Sequence, residues 1–310
     1  SGNYVLKNLG SDFDIKTFTG NAKISSKNVI TGTLNSRLLN ARYTVNPKKQ
    51  TVVINARSKG YLKVNYGGSS YVVSPDIENL VVKFNETNVL RSGRLRLKLK
   101  DLSVPFIKTI RTNIKIHNGN YKIIGTAGTK GGTIVNIAGT TTSDMKHSYT
   151  LSIPKTVDIA QELRANGYNF KGLNKAKLPA TVTARISGKG SHFSGAYELF
   201  SPYGEYIAEY EKLRVNGKIN DLKNLDMTIN TNMDELWFGY QRLKNVKGNL
   251  NIKDNVVNIS KIQNENLTAS GKFDIKTGKM DINAQLKDYM LYNTSSQKIN
   301  LNVGVLTANL

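Results

Sequence analysis

Few side chains in this sequence combine at a spacing that supports catalysis. The histidines His117, His147 and His192 lie far apart, and none is followed by a second metal-ligating side chain two to four positions later. We therefore expect each histidine at the surface or in a turn and not in a metal site. The paired acids Asp234-Glu235 are expected in a turn, with no evident basic or nucleophilic partner.

Glycine-rich segments do not match the loops that bind nucleotides either. Residues 125–132 carry several glycines but lack the Gly-Lys-Ser/Thr ending of a phosphate-binding loop. The sequence also contains no nucleophile elbow and no dinucleotide fingerprint. We predict that the protein is not an enzyme and that it uses no cofactor and no metal.

The most regular stretch, Val246–Leu286, places apolar residues at alternate positions. Successive side chains of a β-strand point to opposite faces, so this alternation predicts strands with one dry face and one wet face. Turn-forming residues interrupt it at 253–255, 264–266 and 277–278. We interpret the stretch as an antiparallel meander. The residues predicted to share its apolar face are Leu250, Ile252, Ile259, Leu267, Phe273, Ile275, Ile282 and Leu286.

The rest of the chain repeats this rhythm of strand and turn. Asn118-Gly119 is a strong signal for a tight hairpin turn. The segment 213–229 resembles 267–284, with Gly217 and Gly271 at matching places, which indicates a repeated strand module. One short helix is expected near 157–166, with Thr156 or Asp158 as N-cap. The surrounding segment, 154–180, is where the chain could subdivide; otherwise we expect one domain over 1–310.

Composition points to a thin core. Of 310 residues 39% are hydrophobic and 8% aromatic, and there is no cysteine to form a disulfide or a thiolate metal site. No run approaches the ~18 consecutive apolar residues of a membrane-spanning helix. The chain opens Ser1-Gly2 and carries no signal peptide, so we interpret it as a piece of a longer protein.

The net charge of +22 has two interpretations. Lysine can fill the solvent face of many strands, where it discourages aggregation at sheet edges. Alternatively, the charge can bring the protein to an anionic membrane surface. The alternation of Arg94, Arg96, Lys98 and Lys100 with leucines is typical of one polar strand face, and the sequence has no basic block of five to eight residues. We do not expect nucleic acid as a partner.

The apolar face of the meander must be covered by something. A second sheet face would close it into an ordinary core. An open trough would instead accept acyl chains, because burial of each CH₂ contributes about 0.8 kcal/mol without specific contacts. These residues leave both alternatives open.

Several strands follow the pattern Gly-x-hydrophobic-x-hydrophobic and are joined by hairpin turns at 253–255 and 277–278. These features resemble the TamB family (translocation and assembly module) of the AsmA-like superfamily. The resemblance is strongest over residues 213–286. The resemblance implies an elongated β-taco, a meander curved into a U-shaped sheet with an apolar groove. It further implies a periplasmic location between the two membranes of a diderm bacterium and an anchor in the inner membrane. The implied partners are phospholipid acyl chains and a TamA-like outer-membrane barrel. The implied role is phospholipid transport, outer-membrane protein assembly, or both.

Other interpretations of the same strands stay open. An adhesin-type β-solenoid or a protein-binding scaffold would use the apolar residues only as a closed core. The hairpin turns disfavour a parallel β-helix, whose crossovers need longer connections.

Overall fold

The computed structural model describes residues 1–7, 17–66, 69–84, 89–100, 106–169, 172–189, 192–206, 208–221, 226–238, 241–287 and 308–309. Within these ranges the protein is all-β with one short helix, which confirms the predicted fold class at this level. The chain divides into two compact units. Unit 1 comprises 1–129 and 134–149, and unit 2 comprises 130–133 and 150–310. The expectation of one domain over 1–310 stays a prediction.

Unit 1 is an antiparallel sheet. Each strand pairs with the next from β1 to β5 and again from β7 to β11. The long strand β7 has two partners on one edge, because its residues 69–73 pair with β6 and its residues 76–83 pair with β5. The strands are β1 (Gly2–Lys7), β2 (Thr17–Ile24), β3 (Ile30–Asn35), β4 (Leu39–Asn46), β5 (Thr51–Ser58), β6 (Leu62–Tyr66), β7 (Ser69–Lys83), β8 (Val89–Lys100), β9 (Ile107–His117), β10 (Asn120–Thr129) and β11 (Ile134–Thr141). The next strand along the chain is β12 (Lys146–Ser152).

Unit 2 continues the same architecture after a short helical segment. Every strand from β13 to β22 pairs antiparallel with the next one, which is the meander that the alternating pattern predicts. The elements are β13 (Val157–Asp158), α1 (Ile159–Ala165), β14 (Pro179–Lys189), β15 (His192–Glu205), β16 (Glu209–Asp221), β17 (Asp226–Phe238), β18 (Gln241–Lys253), β19 (Val256–Gln263), β20 (Leu267–Asp274), β21 (Met280–Leu286) and β22 (Ala308–Asn309).

Helix α1 begins and ends as its sequence predicts. The Asp158 carboxylate caps the first turn and accepts hydrogen bonds from the backbone N–H of Ala160, at 3.1 Å, and of Leu178, at 3.0 Å. Gly167, with φ of 85°, follows the last turn in the left-handed conformation that glycine adopts without strain. Ala160 is fully buried against Leu173, so α1 and the segment after it form a small core of their own.

A buried carboxylate ties α1 to residues 131–133. Glu162 is 8% exposed. It accepts hydrogen bonds from the backbone N–H groups of Gly131 and Thr133, at 3.1 and 3.2 Å, and from the Thr133 hydroxyl. No sequence motif marks this residue. The three hydrogen bonds satisfy a charge that would be costly to bury without partners.

The predicted hairpin turns have the backbone conformations that tight turns require. Asn118 and Gly119 both have positive φ, at 48° and 74°, and join β9 to β10. Asp254 and Asn255 do the same between β18 and β19, at 53° and 67°. Two successive left-handed residues match the right-handed twist of the flanking strands. These turns therefore fix the registers of both hairpins.

Candidate ligand-binding face

Seven of the eight predicted groove residues lie on one face of the unit 2 sheet. Residues directly opposite each other in antiparallel strands share a face. In one row across the four strands, Leu250 is opposite Ile259, and Ile259 is opposite Gly271. Gly271 is in turn opposite Ile282. Leu267 is likewise opposite Leu286. The apolar face of unit 2, as we use the term below, consists of Leu250, Ile252, Ile259, Leu267, Phe273, Ile282 and Leu286.

The eighth predicted residue, Ile275, lies just beyond the end of β20. Its backbone N–H donates to the Asn255 carbonyl at 3.0 Å, so it belongs to the turn region at one end of the β19–β20 pair. The side chain is partly exposed.

The apolar face is only half-buried along most of its length. Six of its seven residues are partly exposed, neither buried nor fully exposed, and Leu286 is 6% exposed. The side chains on the reverse of the same strands are polar. One row across that reverse face runs from Asn251 to Asn258, Lys272 and Asp281. The alternation predicted one wet face and one dry face; the polar side agrees, whereas most residues of the apolar side are partly exposed.

In the most deeply buried part of this face, Val246 belongs to the alternating stretch that the sequence shows, whereas Leu243 lies outside it. Val246 and Leu243 on β18 are 0% and 2% exposed and form a buried cluster with Leu286. The two β18 residues are three positions apart, so strict alternation would place them on opposite faces. Asn245, with φ of 54°, changes the phase of the strand between them. An asparagine between two apolar residues of opposite phase is the only signal that the sequence offered.

The acidic pair is the one prediction about reactive residues that proves wrong. Asp234 and Glu235 lie within strand β17, not in a turn, and both make ion pairs. Arg214 donates to Asp234 at 2.9 Å, and this hydrogen bond is the largest cause of the lowered pKa of the Asp234 carboxyl. Glu235 pairs with Arg242 across β17 and β18. Both carboxylates therefore form ion pairs with arginine side chains between neighbouring strands of the sheet.

Tyrosine rings lie over glycines at several places in the sheets. Tyr197 on β15 is directly opposite Gly217 on β16, and its hydroxyl donates to the Thr228 carbonyl at 3.1 Å. Burial raises the pKa of the Tyr197 phenol to about 12. In unit 1, Tyr4 is opposite Gly20 in the same way. The rings cover backbone that a glycine leaves bare, so these tyrosines are structural.

The histidines do not come together. His117 and His192 are exposed at strand ends, and a ring nitrogen of His147 lies 3.0 Å from the Thr141 hydroxyl. The described residues contain no cluster of three or more histidine, cysteine, aspartate or glutamate side chains that could hold a metal ion.

Of the basic residues that alternate with leucines in β8, Arg94, Arg96 and Lys98 are exposed, whereas Lys100 lies 4.4 Å from the ring centre of Tyr61.

No helix in the described ranges is long and apolar enough to cross a membrane. Comparison of the chain with models of protein families, with curated proteins and with solved structures finds no match.

Proposed function

We propose that the apolar face of unit 2 binds the acyl chains of phospholipid. In this proposal the protein is not an enzyme and works in the space between two bacterial membranes. The observation that carries the proposal is the continuity of this partly exposed apolar face across β18, β19, β20 and β21, with a polar reverse side. An apolar surface of this kind is a binding site for apolar ligands. Each acyl CH₂ buried there contributes about 0.8 kcal/mol, so a lipid tail binds without directed contacts.

The buried cluster supports the groove form of this sheet. Leu286 on β21 clusters with Val246 and Leu243 on β18, although β19 and β20 lie between these strands. Three strand spacings in a flat sheet are about 14 Å, which is too far for two leucine side chains to meet. Curvature toward the apolar face would bring them together, with Ile262 and Leu267 of the intervening strands packed against the same cluster. The curved trough, its implied role in phospholipid transport or outer-membrane protein assembly, and the implied TamA-like partner all belong to this proposal.

The same cluster favours the second candidate function, a protein-binding scaffold with a closed core. Val246 and Leu286 are buried as core residues are. If the rest of the face were closed in the same manner, no lipid could enter. The two functions therefore differ in whether the partly exposed residues of this face tolerate a charge.

The test introduces one negative charge on each side of the same strand. Ile282→Asp places it on the apolar face, and Asn283→Asp places it on the exposed reverse face one residue later. On an open face the Ile282→Asp carboxylate still reaches water, so the fold survives while acyl chains are excluded. In a closed core the same charge is buried unpaired and unfolds the region. The pair Ile259→Asp and Asn258→Asp repeats the comparison on β19.

The measurement is the phospholipid retained through gentle purification, together with the melting temperature of each variant. We expect Ile282→Asp to lose lipid with a melting temperature close to that of Asn283→Asp, and Asn283→Asp to keep its lipid. Collapse of the fold in Ile282→Asp with Asn283→Asp intact would establish the closed core. A parent protein that carries no lipid would also overturn the proposal.

A further inference from the structure

Three cations stand side by side on the polar face of unit 1. Arg94 on β8 is directly opposite Lys115 on β9, and Lys115 is directly opposite Lys122 on β10. Directly opposed residues have their Cβ atoms about 4.5–5.5 Å apart. All three side chains are exposed and project from the same face. We call Arg94, Lys115 and Lys122 the cationic row.

The cationic row lines a shallow cavity of about 390 Å³ that contains no carboxylate among its lining residues. The remaining polar lining comes from Arg96 and Asn113. The neighbouring acid on β7, Glu78, is opposite Arg94, but its Oε2 lies 3.8 Å from Arg96. The described residues give no member of the row an ion pair. Leu95, Ile114 and Ile124 complete the lining, so every charged residue that lines the cavity is a cation.

Like charges placed directly opposite each other destabilise a sheet. The row contains two such contacts in succession, and a third like-charged pair, Lys98 opposite Arg111, stands on the same face of β8 and β9. Neutral polar residues would fill the same solvent face without repulsion, as Asn113 does between Arg96 and Ile124. An anionic ligand would turn the repulsion into attraction, which gives the arrangement a physical reason.

We propose that the cationic row binds a discrete ligand that carries two or more phosphate groups. A phosphate group brings about 1.5 to 2 negative charges in a small volume, which matches three cations within two strand spacings better than single carboxylates do. Arginine adds a planar fork that pairs with phosphate oxygens. A flat bilayer would touch a concave cavity only at its rim, so the ligand is a separate molecule. The lining contains no aromatic ring on which nucleic-acid bases could stack.

The test neutralises the row and compares it with a matched change elsewhere in unit 1. Lys115→Gln/Lys122→Gln removes two charges from the row. Lys48→Gln/Lys49→Gln removes two charges from the exposed turn between β4 and β5. Binding of sodium tripolyphosphate, inorganic phosphate and sodium sulfate is measured by calorimetry at constant ionic strength. We expect tripolyphosphate to bind most tightly, and its affinity to fall by about tenfold or more in the row variant but not in the turn variant.

A second measurement separates a binding site from an ordinary charged surface. Without ligand, the row variant should melt about 1–3 °C higher than the parent, because two repulsive contacts are removed, while the turn variant should not. Tripolyphosphate should raise the melting temperature of the parent more than that of the row variant.

Three results would overturn the proposal. Equal loss of affinity in both variants would assign binding to net charge alone. Competition by a glutamate oligomer of equal charge, at equal concentration, would remove the preference for phosphate. Row-dependent binding to phosphatidylglycerol vesicles without binding of tripolyphosphate would make the row a membrane-docking surface.

Discussion

The Glu162 carboxylate offers the sharpest test of how helix α1 is held in unit 2. It accepts two backbone hydrogen bonds and one hydroxyl hydrogen bond from Gly131 and Thr133, and it is 8% exposed. Glu162→Ala removes the acceptor and leaves two sheltered backbone N–H groups without it. Each unsatisfied group costs about 1–3 kcal/mol, and a hydrogen bond to a charged group contributes about 1.5–3 kcal/mol. Because these terms overlap, we expect a loss of about 3 kcal/mol.

A loss of this size corresponds to a decrease of about 6–12 °C in melting temperature for a unit of this length. Glu162→Gln should lose roughly half as much, because the amide oxygen can still accept one hydrogen bond while its NH₂ group meets a donor. The matched control is Gln161→Ala, one residue earlier on α1. The exposed side chain of Gln161 makes a single hydrogen bond, to the Gly131 carbonyl at 2.9 Å, so its loss should cost less than about 0.5 kcal/mol.

The assays are thermal unfolding and amide hydrogen exchange. The N–H groups of Gly131 and Thr133 should exchange faster in Glu162→Ala than in Gln161→Ala, since they lose their acceptor. Equal melting temperatures for Glu162→Ala and Gln161→Ala, with unchanged exchange at both amides, would refute the role given to this carboxylate.

Two further changes test the tyrosine over glycine in β15 and β16. Gly217→Ala places a Cβ against the Thr228 carbonyl oxygen and 2.7 Å from the Tyr197 hydroxyl, so we expect a loss of about 1–3 kcal/mol in a denaturant titration; an unchanged midpoint would contradict this packing. Tyr197→Phe tests the raised pKa of the Tyr197 phenol, which is about 12 in the folded protein and about 10 in the unfolded chain. Between these two pH values the unfolded chain loses the phenol proton and the folded protein keeps it, so the free energy of unfolding of the parent falls as the pH rises from 10 through 12. The variant should therefore lose less stability than the parent between pH 10 and 12, and identical pH profiles would show that the phenol is not shielded.

Local signals predicted the elements of this fold well. A period of two identifies strands wherever one face is dry, and Asn118-Gly119 and Asp254-Asn255 are residue pairs that accept positive φ. The internal repeat also has a structural counterpart. Gly217 is opposite Ile229 in the β16–β17 hairpin, as Gly271 is opposite Ile282 in the β20–β21 hairpin. Each of these features depends on residues close together in the sequence.

Features that depend on irregular backbone could not be predicted from alternation. The register between β18 and β19 shifts between Asn249 and Leu250, so the count of residues changes along the pair. The run of polar residues around Asp234-Glu235 predicts a turn, because such runs are typical of turns. In the structure this run lies in β17, where the ion pairs with Arg214 and Arg242 hold the acids on a strand. Such pairing is set by neighbouring strands and not by the run itself.

One of the two pairings in the cationic row could be predicted from the sequence. The turn at Asn118-Gly119 makes His117 opposite Asn120, and counting back from there places Lys115 opposite Lys122. The alignment of Arg94 with Lys115 depends on the β8–β9 register, which no short turn signal fixes. The pairing of Lys115 with Lys122 can therefore be predicted from the sequence, whereas the pairing of Arg94 with Lys115 needs a structure.

The two proposed sites select different ligands, because one is an apolar face of unit 2 and the other is a row of cations on the polar face of unit 1. In unit 1 the row directly behind the cationic row is apolar, with Leu95 opposite Ile114 and Ile114 opposite Ile123. A lipid lying on that apolar side could not bring its phosphate to Arg94 or Lys122, since the backbone of the sheet stands between them. The two faces of the unit 1 sheet therefore present different chemistry, cationic on one side and apolar on the other. It follows that Ile282→Asp should leave tripolyphosphate binding unchanged, and that Lys115→Gln/Lys122→Gln should leave the retained phospholipid unchanged.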